Sequence, residues 1–230
     1  MIKLKKLAVT LLSVAICGVL LIGCSTSKNV ELTFTIDDTD FTLNSTVQDL
    51  YDAGFVLCDT GAGNIISDSE LPEFEGRSVD TISFYYVGRP IDEKKAEYTG
   101  IRIQVYNNSS TACNIKDCSI FDYTYELDSD LKRENGKVLI NDTDFFGLTP
   151  EQGVTAMEGF GITFEEDEKA EFIDEDTNSG YGWSVSTSSG SYIYSLTSNK
   201  VIEYAEDGSS TEDLLIGEVN FKKKLNIDYN

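Results

Sequence analysis

The reactive side chains of this chain are few in kind. There are 5 cysteines and 40 Asp+Glu carboxylates among 230 residues, and no histidine. Without an imidazole the chain cannot build a Ser-His-Asp or Cys-His nucleophile, nor a His-ligated metal centre. Thiols remain for covalent or disulfide chemistry, and carboxylates for cation binding or paired acid/base hydrolysis. Spacing singles out no carboxylate pair, so no catalytic residue is assigned and no enzyme activity is expected. The glycines form neither Gly-x-x-x-x-Gly-Lys-Ser/Thr nor a strand-following Gly-x-Gly-x-x-Gly, so no phosphate loop and no cofactor are expected.

Oxygen ligands cluster in two acidic turns, Asp37-Asp38-Thr39-Asp40 and Asn141-Asp142-Thr143-Asp144. Asp38, Asp40, Asp142 and Asp144 are weak candidates for calcium. The plainer reading is a pair of strand-end turns in which Asp and Asn bind local backbone amides. Asp174 to Gly180 imitates an EF-hand loop, but Ser179 holds the glycine position and Val185 the place of the bidentate Glu. It reads as a solvated loop.

Cys58, Cys113 and Cys118 allow one disulfide, with three possible pairings, or none. Cys113 and Cys118 flank the short loop Asn-Ile-Lys-Asp and form the easiest pair to close. Burial as free, weakly polar side chains is the competing reading.

The N-terminus carries an address. Lys3, Lys5 and Lys6 precede the apolar run Leu7 to Ile22, which is short of the roughly 20 residues that span a bilayer. The run ends in Leu21-Ile22-Gly23-Cys24 and turns polar at Ser25. This box resembles the lipobox of bacterial lipoproteins, which implies diacylglycerol on the Cys24 thiol and cleavage before it. Residues 1–23 are then a signal peptide and 24–29 a lipidated tether, with the remainder held on the extracytoplasmic face of the cell membrane. Removing 1–23 takes three lysines with it, so 15 Lys+Arg stand against 40 Asp+Glu, a balance of -25. Such a surface keeps the chain soluble, repels nucleic acid, and favours cations or a basic partner. Lys222-Lys223-Lys224 is the basic cluster that remains, expected to be a solvated end that blunts an edge strand.

Beyond the tether the chain resembles itself at an offset of 104. Ile36 to Phe41 recurs as Ile140 to Phe145, and Ser45-Thr46-Val47-Gln48 as Thr149-Pro150-Glu151-Gln152. Both of the latter have the S/T-x-x-Q form of a capping box, and Pro150 suits a first helical position. Leu50 then aligns with Val154, and Gly54-Phe55 with Gly159-Phe160. Each copy therefore predicts a short strand, a turn, a helix of about ten residues and a glycine stop.

Alternating runs predict the strands: Val79–Val87, Ile101–Val105 and Phe121–Leu127 in the first copy. In the second they are Ile162–Phe164, Trp183–Thr187, Tyr192–Leu196, Val201–Tyr204 and Leu214–Phe221, with turns at Ser188-Ser189-Gly190 and Ser198-Asn199. The expected fold is α+β: two related repeats, each a short helix packed on an antiparallel sheet. The first repeat covers 30–128 and the second 137–221, joined by the charged connector 129–136 and followed by a tail, 222–230. Tyr85, Tyr123, Tyr125, Trp183, Tyr192 and Tyr194 are candidates for an aromatic binding face, or else for core beneath the helices. Of the adjacent Tyr85 and Tyr86, one must face outward.

The S/T-x-x-Q helix followed by Gly-Phe, closest at Leu148-Thr149-Pro150-Glu151-Gln152, resembles the repeats of β-lactamase-inhibitor-protein-like domains and the SmpA/OmlA lipoproteins that share their fold. Lipobox, two copies and Asp117-Cys118-Ser119-Ile120 also resemble lipoproteins of Gram-positive anaerobes. The resemblance covers residues 30 to 221. It implies a concave sheet that binds an extracytoplasmic protein partner, in an inhibitory or scaffold role. A ligand- or calcium-binding envelope module is the alternative, and a hydrolase using two carboxylates a further one.

Overall fold

The computed structural model describes residues 29–79, 83–127, 138–164, 169–170, 181–204 and 210–225. Cys24, the signal segment and the connector 129–136 lie outside these residues.

Two copies of one turn open the architecture. β1 (Phe34–Ile36) and β2 (Thr39–Phe41) form a hairpin through Asp37 and Asp38, with φ of 50° and 65°. Asn141 and Asp142 repeat this conformation, at 44° and 62°, after β9 (Val138–Ile140). Asn and Asp tolerate the left-handed region better than other side chains, and the primed hairpin turn requires it at both central positions. β9 pairs with β1, giving a three-stranded sheet in the order β2-β1-β9.

Each helix begins on a threonine. α1 (Val47–Asp52) is capped by Thr46 and Asp49 in a reciprocal box, and α2 (Pro150–Gly159) by Thr149 and Gln152. The second box is the expected one. The first lies one residue later than expected, because Ser45 is engaged elsewhere: its carbonyl accepts Ile120 N–H and its hydroxyl accepts Thr42 N–H. Both helices close with the same pair of bonds. Phe55 N–H donates to Leu50 and Gly54 to Tyr51, while Ile162 donates to Met157 and Gly161 to Glu158. Gly54 and Gly161 hold φ near 90° (90° and 89°), the left-handed stop that glycine tolerates. The second stop is therefore Gly161-Ile162, not Gly159-Phe160. α1 has 6 residues against α2's 10, about one turn fewer, so the expected ten-residue length holds for α2 alone.

The main sheet has eight strands. Its first-half strands are β3 (Val56–Cys58), β5 (Tyr85–Pro90), β6 (Ala96–Tyr106) and β8 (Ser119–Glu126). Its second-half strands are β10 (Lys169–Ala170), β11 (Tyr181–Ser189), β12 (Tyr192–Tyr204) and β13 (Ser210–Lys223). They lie in the order β10-β11-β12-β13-β8-β6-β5-β3, each antiparallel to its neighbours. From the β8–β13 seam outward, both halves follow decreasing chain order. A separate ladder joins β4 (Glu73–Phe74) to β7 (Cys113–Asn114). The fold is α+β and mostly antiparallel.

Three expectations are corrected here. The turn expected at Ser198-Asn199 is a register shift inside one continuous strand, β12. The extra residue opposite it is Gly217, where an added Cβ would lie 2.3 Å from the Asn199 side-chain nitrogen, so a larger residue there has to displace the Asn199 side chain. Ile162–Phe164, expected as strand, is irregular chain whose Ile162 and Phe164 are buried. Finally, Lys222 and Lys223 end β13, which lies between β12 and β8 and is not an edge.

The core fills one face of the sheet. Ile101, Ile103 and Val105 point into it as their alternation predicts, with Tyr123, Tyr125, Val219 and Phe221 beside them. The small sheet packs on the same side: Phe34 stacks on Tyr123 at 5.0 Å and on Phe221 at 6.4 Å between ring centroids. α2 reaches this face through Gly153, whose missing side chain leaves room for Ile216 and Leu196. Each fully buried aromatic of this kind contributes about 1.5–3 kcal/mol.

Candidate functional site

The tyrosines expected to form a binding face are mostly core. Tyr85, Tyr123, Tyr125, Tyr192 and Tyr194 are buried and belong to the central hydrophobic cluster; Trp183 is half-buried against it. Strand alternation supplies the reason. These residues share the face of Ile101 and Ile103, which the helices and the small sheet cover. Tyr86 is the outward member of the Tyr85–Tyr86 pair, set opposite Arg102 in the β5–β6 register.

The other face of β5, β6, β8 and β13 carries no helix among the described residues, and it is ordered by charge. In register across β6, β8 and β13, Arg102 meets Thr124 and Asn220, and Gln104 meets Asp122 and Lys222. Glu126 stands directly opposite Glu218. Two like charges in that position repel, and Arg102 lies between them. Its Nε is 2.8 Å from Glu126 and its Nη2 is 3.0 Å from Glu218. Tyr98 donates its hydroxyl to the second Glu126 oxygen at 2.7 Å. Phe84, 39% exposed, lies against the guanidinium at 4.9 Å, and Tyr86 meets Tyr98 edge-on at 5.2 Å. Burial pushes the Glu218 carboxyl above its ordinary range, and Arg102 opposes that shift.

One rung along, Asp122 is buried. Its carboxylate accepts Asn220 Nδ2 at 2.6 Å and lies 3.4 Å from Lys222 Nζ. Burial raises this carboxyl too, against the pull of Lys222. The Lys222 ammonium also lies 5.2 Å from the Phe121 ring centroid. Fixed charges, half-exposed rings and the amides of Gln104 and Asn220 are thus held in one strip on the sheet. One Glu126 oxygen accepts the Tyr98 hydroxyl and the other faces the Arg102 guanidinium as an ion pair.

Nothing in the sequence alone sets Arg102, Glu126 and Glu218 apart from other polar strand positions. Only the β8–β13 pairing, which joins residues 92 positions apart at Glu126 and Glu218, makes them one group. A faint signal existed in Gln104, Asp122 and Thr124, polar residues inside strands otherwise rich in aromatics.

The acidic turns do not converge. β1 and β9 are antiparallel, so the turn after Ile36 and the turn after Ile140 occupy opposite ends of the small sheet. Asp37 forms a two-bonded ion pair with Arg89, Asp40 accepts the Thr35 hydroxyl, and Asp144 accepts Phe146 N–H. Asp38 and Asp142 are exposed turn residues with positive φ. Among the described residues no group of three or more Cys, Asp or Glu side chains could hold a metal ion.

Cys113 and Cys118 are brought together, as their spacing suggested. Their Sγ atoms are 3.6 Å apart across the 3-10 turn Ile115–Asp117, and both are free thiols, as is the buried Cys58. Cys118 is buried and Cys113 half-buried. Burial pushes the Cys58 thiol up to about 11 and raises that of Cys118 as well, where the Cys113 hydrogen bond adds to the effect. The described residues contain no helix long and apolar enough to cross a membrane. No family model matches this chain, and no curated protein or solved structure matches it either.

Proposed function

We propose that this chain is an extracytoplasmic bacterial lipoprotein, anchored through diacylglycerol on Cys24, that binds another envelope or secreted protein with the helix-free face of its sheet. The observation that carries the binding reading is the strip Phe84–Arg102–Glu126–Glu218–Lys222, with Lys222 positioned by the buried Asp122 beneath it. Its polar groups are held in place by cross-strand partners before any partner arrives, which lowers the ordering cost of association. With a mature charge of -25, a partner presenting basic groups is favoured over an acidic one. The role is inhibitory or scaffolding, with no catalytic residue assigned.

The same proposal holds that the chain is a tandem duplication related to β-lactamase-inhibitor-protein-like repeats. Three features support it: the strand order that reads alike from the β8–β13 seam toward both edges, the shared primed turn, and the shared helix stop.

Site-specific photocrosslinking in the producing cell tests the binding reading. A crosslinkable residue replaces Phe84 or Tyr86 on the helix-free face, and Ile91 at the β5–β6 hairpin tip as reference. The expected result is one dominant adduct from the face positions and none from Ile91. Absence of any adduct from both face positions overturns the proposal.

A further inference from the structure

Ser191 ties the two ends of the described chain to each other. Its backbone N–H donates to Asn29 Oδ1 at 2.9 Å, and its carbonyl accepts Lys224 N–H at 2.7 Å. Asn29 is where the tether enters the fold, and the neighbouring Val30 carbonyl accepts the Tyr194 hydroxyl. Lys223 pairs with Tyr192 in the β12–β13 ladder, so Lys223 and Lys224 lie beside the root of the tether. Lys224 is exposed and Lys223 half-buried. Glu31 is an acidic neighbour at this end, and its carboxylate accepts Asn44 Nδ2.

From this placement we infer that the Lys223–Lys224 corner, at the root of the tether, docks on anionic phospholipid headgroups and sets the orientation of the domain on the membrane. The inference rests on lipidation of Cys24, as proposed above. Five residue steps separate Cys24 from Asn29, so the fold begins at most about 17 Å from the lipid attachment point. That upper bound is about two Debye lengths in physiological salt, so the tether is short enough for this end of the fold to come within one Debye length of the bilayer, where surface charge acts. A domain of charge -25 is repelled from an anionic bilayer over most of its surface. The two lysines are placed where the chain must approach that bilayer. The anchor is supplied by the lipid, and the lysines act on orientation. The strands then rise from this end, and the β5–β6 hairpin with Lys94 lies at the opposite end of the sheet.

The test uses the full chain purified from its membranes and reconstituted into phosphatidylcholine vesicles, with and without phosphatidylglycerol. Mass spectrometry of the mature N-terminal peptide first establishes whether Cys24 carries lipid. An amine-reactive reagent then reports lysine accessibility, peptide by peptide. Lys223 and Lys224 are expected to label several-fold more slowly on the phosphatidylglycerol vesicles, with the difference lost in high salt. Lys94 is expected to label equally on both. Equal labelling of Lys223 and Lys224 on the two vesicle types, with lipid present on Cys24, overturns this inference and leaves the lipoprotein reading standing. A Cys24 without lipid, in a chain that floats with neither vesicle, overturns both.

Discussion

Thr35 of β1 stands directly opposite Leu139 of β9, with Phe34 opposite Ile140 and Ile36 opposite Val138. Thr35 and Leu139 are 104 positions apart, the same offset that relates Ile36–Phe41 to Ile140–Phe145. An antiparallel pair centred on residues at the repeat offset has a local two-fold axis through it. The main sheet has its seam at β8 and β13, with each half running outward from it.

The two primed turns are expected to respond alike to substitution. Asp38→Gly creates Asp-Gly and Asp142→Gly creates Asn-Gly, the dipeptides that favour two consecutive positive φ angles. Each is expected to stabilise the fold by about 0.5 kcal/mol, and Asp142→Val to destabilise it by about 1–2 kcal/mol. Urea unfolding of the variants checks this. A stabilising Asp142→Val would show that the turn is not primed.

Tyrosines of the two faces are expected to separate stability from binding. Tyr123 of β8, stacked against Phe34 of β1, is core, so Tyr123→Ala is expected to cost about 3–5 kcal/mol. Tyr86 on the opposite face is half-exposed, and Tyr86→Ala is expected to cost under about 1 kcal/mol while weakening partner capture. Thermal unfolding alongside crosslinking yield measures both. Equal stability losses at the two positions would contradict this assignment of faces.

Stability is expected to rise on mild acidification. Burial raises the carboxyls of Asp122 and Glu218 above their ordinary values of 3.8 and 4.5. Between the ordinary and the raised value, the folded state holds protons that the unfolded state has lost. Stability therefore falls as pH rises through that interval and stays lower above it. Relief of the general negative charge has the same sign, so the diagnostic is the variant. Glu218→Gln is expected to show a shallower dependence of Tm on pH than the parent chain. Matching slopes would remove Glu218 from the account.

The cysteine pair is expected to oxidise without disturbing the fold. With oxidised glutathione, the half-buried Cys113 attacks first and releases one glutathione thiol. Cys118 then displaces the second. The pair loses two protons and two electrons, and gains one S–S bond. Closing so short a loop is expected to raise stability by about 2 kcal/mol at most. Alkylation with peptide mapping checks it: Cys58 stays alkylatable after denaturation while Cys113 and Cys118 do not. Alkylation of all three after oxidant treatment would refute the pairing.

Local signals were legible where they depend on a few adjacent residues. Thr149-Pro150-Glu151-Gln152 announced its capped helix, and the Ile-Asp/Asn-Asp-Thr turns announced themselves twice. The alternation of Ile101, Ile103 and Val105 named its inward face. Boundaries failed where a tertiary contact intervened. Ser45 was drawn to β8, moving the α1 cap to Thr46, and Gly217 absorbed Asn199, turning an expected hairpin into a bulge.

By itself the sequence determined the α+β class, the two primed turns, both helix starts to within a residue, and the cysteine pair close in the chain. Each depends on side chains acting on backbone within a few positions. It determined the chemistry excluded by the missing histidine as well. Only the tertiary structure decided which tyrosines are core, since a strand's two faces are equivalent until something covers one of them. Only it placed Arg102 between Glu126 and Glu218, and Ser191 between Asn29 and Lys224. Those relationships span tens to more than a hundred residues, and strand pairing, which no local pattern encodes, creates them.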